Sequence, residues 1–158
     1  MFGQQSTERR ITAETDLGET VTNGVWTHLM SWTRDEPLVD ANSKLNINSM
    51  DFSIDQTSRI ALVYNADVTG TTYTTPSLTP EAETLLGVST AGTFNGIGDG
   101  TKVWEGTIRV ADGGPTQLTA LSPEVDVRFG QNGVLSLIAQ ADGADGTATY
   151  TMRMEEDW

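Results

Sequence analysis

Residues 123–158 read PEVDVRFGQNGVLSLIAQADGADGTATYTMRMEEDW, and three strand patterns follow one another along them. Val125, Val127 and Phe129 alternate with Asp126 and Arg128. Leu135, Leu137, Ala139 and Ala141 lie opposite Ser136 and Gln140, and Ala148, Tyr150, Met152 and Met154 lie opposite Thr149, Thr151 and Arg153. A repeat of two marks a half-buried antiparallel strand. Gly130-Gln131-Asn132-Gly133 and the run Asp142 to Gly146 supply turns, because Gly, Asn and Asp tolerate positive φ. The stretch therefore predicts a β-meander.

The rest of the chain extends this pattern. Arg10 to Leu17 alternates weakly, as an edge strand does, and residues 1–9 read as a polar N-terminal arm with Phe2 as its one large apolar group. Gly24 to Thr33 is a strong strand with Trp26, His28, Met30 and Trp32 on one face. Tryptophans so spaced fill a sandwich core or an interface more often than they stack on a sugar. His28 on the same face reads as a satisfied or solvent-edge histidine rather than a catalytic one. Residues 34–43 form a loop. From Lys44 to Ile54, Leu45 and Ile47 share one parity and Met50, Phe52 and Ile54 the other. A β-bulge near Asn48-Ser49 produces such a phase change. Arg59 to Ala66 is apolar on both parities and predicts a central strand covered on both faces.

Thr71-Thr72-Tyr73 has the composition of an edge strand. One helix is predicted, about residues 79–87: Thr79 is a good N-cap, Pro80 suits the first position and Gly87 the left-handed end. The glycine-rich run from Gly92 to Gly100 is followed by a strand pattern, Thr101 to Val110, and not by the helix that a phosphate-binding loop opens. In that strand Trp104, Ile108 and Val110 share a face, with Gly106 at a bulge or close approach. With roughly eight to ten short strands in 158 residues, the pattern predicts an all-β chain. It reads as an antiparallel two-sheet β-sandwich spanning residues 10–158 as a single domain.

Composition narrows the function classes. There is no cysteine and one histidine, so thiol chemistry and a multi-histidine metal site are excluded. Twenty-two acids against nine cations give a net charge of −13, and only Lys44 and Lys102 are lysines. The acids are dispersed through a chain rich in Thr and Val, unlike a disordered acidic tail. Such a surface suits high salt, where the Debye length falls to roughly 3 Å at 1 M and self-repulsion is screened. It argues against nucleic acid, whose phosphates need a basic patch, and against anionic membranes. No secretory signal pattern opens the sequence, which sets an expectation that the protein is made and used in the cytoplasm, or leaves the cell by lysis rather than by secretion. Asp142 and Asp145 with their glycines are candidate calcium ligands, though Asp-Gly is first a hairpin turn. Glu155-Glu156-Asp157 reads as a solvated terminal cluster rather than half of a hydrolase dyad. No nucleophile motif appears, so neither catalysis nor a cofactor is expected.

Leu118 to Phe129, the Gly130–Gly133 turn, Val134 to Ala141 and Thr147 to Glu155 together resemble the C-terminal strands of viral jelly-roll and related β-sandwich virion proteins. With the acidic bias, the chain resembles a structural protein of a haloarchaeal virus. The likeness is one of pattern, covers about a quarter of the chain and carries no functional residue across. It implies a jelly-roll-like sandwich. It also implies a capsid or virion-surface subunit that acts by self-assembly with copies of itself and other virion proteins. Phe2, Trp26, Trp32 and Trp158 are then the interface candidates, since Trp is enriched at interface hot spots. The competing readings are a carbohydrate-binding module using Trp26, Trp32 or Trp104 as a platform, and a tail-tube or turret subunit.

Overall fold

The computed structural model describes residues 9–14, 19–34, 44–74, 86–110, 117–121, 125–127 and 133–157. These residues form strands and no helix. In chain order the strands are β1 (Arg9–Glu14), β2 (Glu19–Val21), β3 (Thr27–Arg34), β4 (Lys44–Ile54), β5 (Ser58–Tyr64), β6 (Asp67–Thr69) and β7 (Leu86–Ser89). They continue with β8 (Thr93–Gly96), β9 (Thr101–Ile108), β10 (Gln117–Leu121), β11 (Val125–Val127), β12 (Val134–Ala141) and β13 (Gly146–Asp157).

Two antiparallel sheets share one core in a β-sandwich-like arrangement. In the first, β13 and β4 lie side by side. The free side of β13 takes β2 and β1 end to end, and the free side of β4 takes β10 and β11. The second sheet has the order β7-β3-β12-β5-β9, and β6 pairs with β8 in a separate two-stranded ribbon. The core draws on both main sheets: Leu45, Ile47, Met50, Phe52, Ile54 and Met152 from one, Trp32, Ile60, Leu62, Leu135 and Leu137 from the other, all fully buried.

The C-terminal strands are not a meander. β12 pairs with β3 and β5, whereas β13 pairs with β4, β1 and β2, so consecutive strands enter opposite sheets. Each of those strands has one apolar face, and an apolar face serves equally whether the next strand lies beside it or across the core. Two bulges reset the faces. In β4 the register with β13 steps from Ser49↔Arg153 to Ile47↔Met154, leaving Asn48 as the extra residue at the predicted phase change. In β3 it steps between Met30↔Leu137 and His28↔Ile138. Trp26, His28, Met30 and Trp32 therefore do not share a face: Met30 and Trp32 point into the core, and Trp26 packs on the opposite side of the sheet. The bulge residue Leu29 is buried too.

Tyr150 ties the two layers together. Its ring stacks on Phe52 with centroids 5.4 Å apart, and its hydroxyl donates to the Leu29 carbonyl across the core at 3.0 Å. Burial pushes the phenol pKa up, so it stays a donor. Tyr150→Phe keeps the ring and strands a buried carbonyl. It should lower unfolding free energy by about 1 kcal/mol in urea titrations, and a change indistinguishable from zero would show that the hydroxyl does not link the sheets.

Of the predicted helix, residues 79–85 lie outside the described residues. Leu86 and Gly87 belong to β7 and pair with Arg34 and Thr33, so no helix end falls at Gly87. Its backbone is extended; the Tyr73 Cβ lies 3.2 Å from where a Gly87 Cβ would stand. Thr71 to Tyr73 is not a strand; Thr74 makes a single bridge to Val88.

Candidate functional site

The second sheet's outer face gathers the polar chemistry. Residues directly opposed on antiparallel strands project to the same side, so the register maps this face in rows. One row runs Ser89, Ser31, Ser136, Val63; the next runs His28, Ile138, Ala61, Glu105; a third holds Gln140, Arg59 and Thr107. The middle is apolar. Ala61, Val63 and Ile138 are buried there beneath Phe94 and Ile97, together with Trp26 and Ala66. This cover is why β5, apolar on both parities, is fully buried from Ile60 to Val63.

On the β3 side of that cover lies a closed hydroxyl–imidazole chain. His28 Nε2 is 2.7 Å from Ser31 Oγ, and Ser31 Oγ is 2.7 Å from Ser136 Oγ. All three are buried, His28 at 7 % exposure. Burial lowers the imidazole pKa from 6.5 to about 4, so the ring is neutral at physiological pH. Its Nδ1 has no hydrogen-bond partner. Gly92, in the connection from β7 to β8, lies against the ring. A Cβ there would stand 2.8 Å from Cε1 and 3.0 Å from both ring nitrogens. A serine hydroxyl on a histidine is the start of a nucleophile–base pair. Here no acidic group among the described residues orients Nδ1, and Gly92 lies against the buried ring.

On the β9 side the face is open and charged. Arg59 donates from Nε and a terminal nitrogen to Glu105 at 3.1 and 2.7 Å, and Lys102 Nζ donates to the same carboxylate at 3.1 Å. The hydrogen bond from Lys102, then that from Arg59, holds the Glu105 pKa below its usual range. Both cations also sit over Trp26, at 5.4 and 5.7 Å from a ring centroid. Beside this cluster a cleft of about 410 Å³ is lined by Arg59, Arg109, Thr57, Thr107, Gln140 and Asp142, with Gly24 at its rim.

The interface and platform candidates separate clearly. Trp32 is fully buried in the core, its Nε1–H without an acceptor, and so is unavailable to a neighbour or a sugar. A bulge at Leu29, three residues before it, turned the strand, which alternation alone does not reveal. Trp104 lies against Gly106, where a Cβ would stand 2.7 Å from its ring, as the close approach read from the sequence requires. Trp26 is half-buried on the outer face. Phe2 and Trp158 lie outside the described residues, as does the side chain of each residue in the Glu155-Glu156-Asp157 cluster. Asp145 accepts from the Asn23 amide at 2.8 Å, and the Gly143 amide donates to Asn23 Oδ1 at 3.0 Å. These bonds pin the Asp142–Gly146 turn to the β2–β3 turn. The sequence reading missed Arg59, Arg109, Thr107 and Gln140. They are adjacent only through cross-strand register, which no local spacing encodes.

No protein-family model matches the chain, and no curated protein matches its sequence. Among the described residues no group of three or more His, Cys, Asp or Glu is placed to hold a metal, and no helix is long and apolar enough to cross a membrane.

Proposed function

We propose that this chain is a virion structural protein, a jelly-roll capsid or surface subunit that works by self-assembly in high salt. The strand order carries the reading. β1 with β2, and β10 with β11, each run end to end along one neighbour and count as single strands. Eight strands then form two four-stranded sheets, β1/β2–β13–β4–β10/β11 and β3–β12–β5–β9, with β7 added at an edge. Successive strands change sheet at every step except from β5 to β9, where β6, β7 and β8 are inserted. This wrapping of two antiparallel sheets supports the jelly-roll reading, an architecture of viral capsid and lectin domains. The lectin alternative needs a free aromatic face. Trp32 is buried, Trp104 is laid on Gly106, and Trp26 is covered by two cations.

The surface suits a salt-dependent assembly. Asp55, Asp67, Asp99, Asp142 and Asp145 are exposed without a cation paired to them among the described residues. Like charges of this density repel over about 10 Å in 0.1 M salt and over roughly 3 Å at 1 M. Multi-angle light scattering across that range should show monomers giving way to a defined oligomer as salt rises. Closed particles in electron micrographs would support a shell subunit, and open tubes the tail-tube alternative. A protein that stays monomeric at about 2 M salt and high concentration would end the assembly reading.

A further inference from the structure

We infer that the Arg59–Arg109 cleft is a contact surface between copies of this chain and receives a carboxylate-bearing segment of a second copy. This inference rests on the self-assembly reading and names the surface that serves it.

The cleft is anomalous in charge. The whole chain is −13, with nine cations. Three of those nine, Arg59, Lys102 and Arg109, stand on one face of one sheet, and among the described residues Glu105 and Asp142 are the counter-charges beside them. Among the described residues, three positives against two negatives leave this spot at +1 in a chain that is −13 overall. Lys102 and Arg59 are already engaged with Glu105 and Trp26. Arg109 is exposed and has no ion-pair partner among the described residues. It faces a concave space of about 410 Å³ with the Thr107 hydroxyl and Gln140 amide as further donors. A guanidinium with adjacent neutral donors is the arrangement that grips a carboxylate through two parallel hydrogen bonds.

The rim adds the apolar part of a contact. Val25 is 56 % exposed and is the one large hydrophobic side chain left so among the described residues. It follows Gly24 of the cleft lining and precedes Trp26. Trp and Arg are the residue types that dominate interface hot spots, and Lys and Glu the types that are depleted. The partner chemistry follows from charge complementarity. An acidic segment fits, and a second copy supplies many, with 22 acids against nine cations and Asp55, Asp67, Asp99 and Asp145 exposed.

Salt should favour this association on balance, although it weakens the ion pair itself. Repulsion between two −13 molecules acts through solvent and is screened first, whereas a bidentate pair inside a cleft is partly shielded from salt. The test is light scattering of wild type, Arg109→Gln and Thr20→Glu at about 1–2 M NaCl. Both variants change the net charge by −1, so general repulsion is matched. Thr20 is exposed on β2, in the opposite sheet, and neither substitution touches the core. Arg109→Gln should weaken association by about tenfold or more, with Thr20→Glu close to wild type and all three melting together. Assembling wild type with both variants equally affected, or neither, would overturn the cleft contact while leaving self-assembly intact. A wild type that never assembles would instead bring down the self-assembly reading on which the inference rests.

Discussion

Gly92→Ala should destabilise the protein by about 2–4 kcal/mol, from backbone strain and a broken buried hydrogen bond. Two costs coincide at this position. Gly92 has φ +156°, a region that L side chains rarely adopt. A methyl there would also meet three atoms of the His28 ring at 3.0 Å or less. The ring has no easy retreat, because it is buried and its Nε2 is tied to Ser31. Either the imidazole turns and gives up its hydrogen bond to Ser31, or the β7–β8 connection lifts from the sheet. Guanidinium unfolding of wild type, Gly92→Ala, His28→Ala and the double variant separates the two costs. The alanine should hurt less when the imidazole is already gone. A Gly92→Ala loss below about 0.5 kcal/mol, the ordinary scale for a surface change, would mean that the connection does not press on His28.

The same glycine shows what the sequence reveals and what it withholds. The run Gly92 to Gly100 reads as leading into a strand, and β9 follows it. That Thr93–Gly96 is itself a strand, paired with β6, is invisible locally. So is the need for Gly100, where a Cβ would stand 2.7 Å from the Ala66 amide nitrogen and the Tyr64 carbonyl oxygen. Alternation found β9, β11, β12 and β13, because one-sided burial leaves a period in the sequence, and an unbroken apolar run found the doubly buried β5; β7, β8 and β10 were missed. Alternation also found the bulge at Asn48, where apolar residues change parity within one strand. It failed at Leu29, where apolar residues on both sides of the bulge conceal the shift. It could not choose between a meander and strands crossing the core. The hydroxyl chain was hidden for a related reason: Ser31 and Ser136 are 105 residues apart and meet only because β12 lies beside β3. Arg59 and Arg109 read as ordinary outward-facing cations until register sets them on one cleft.

The imidazole of His28 should titrate near pH 4, and the fold should lose stability as acid is added across the window above that value. Desolvation is the cause. His28 is 7 % exposed, its Nε2 partner is a neutral serine, and Nδ1 has no partner to stabilise a proton. The sign follows from linkage. Above pH 6.5 the ring is neutral in both folded and unfolded chains, and its contribution is fully present. As pH falls towards 4, the unfolded chain binds a proton that the folded chain refuses, so the unfolded state gains. A depression from 6.5 to about 4 corresponds to a loss of roughly 3 kcal/mol once both states are protonated. The acids oppose this trend, since their protonation relieves the −13 self-repulsion. The histidine effect must therefore be read as a difference. His28→Asn removes the titrating group, and the gap between its stability and that of wild type should change in the variant's favour from pH 7 down to 4.5. Because the chain has a single histidine, proton NMR follows that imidazole without assignment. A midpoint near 6.5, or parallel stability curves for the two proteins, would show that the ring is open to water, and with it that the Gly92 connection does not seal the face.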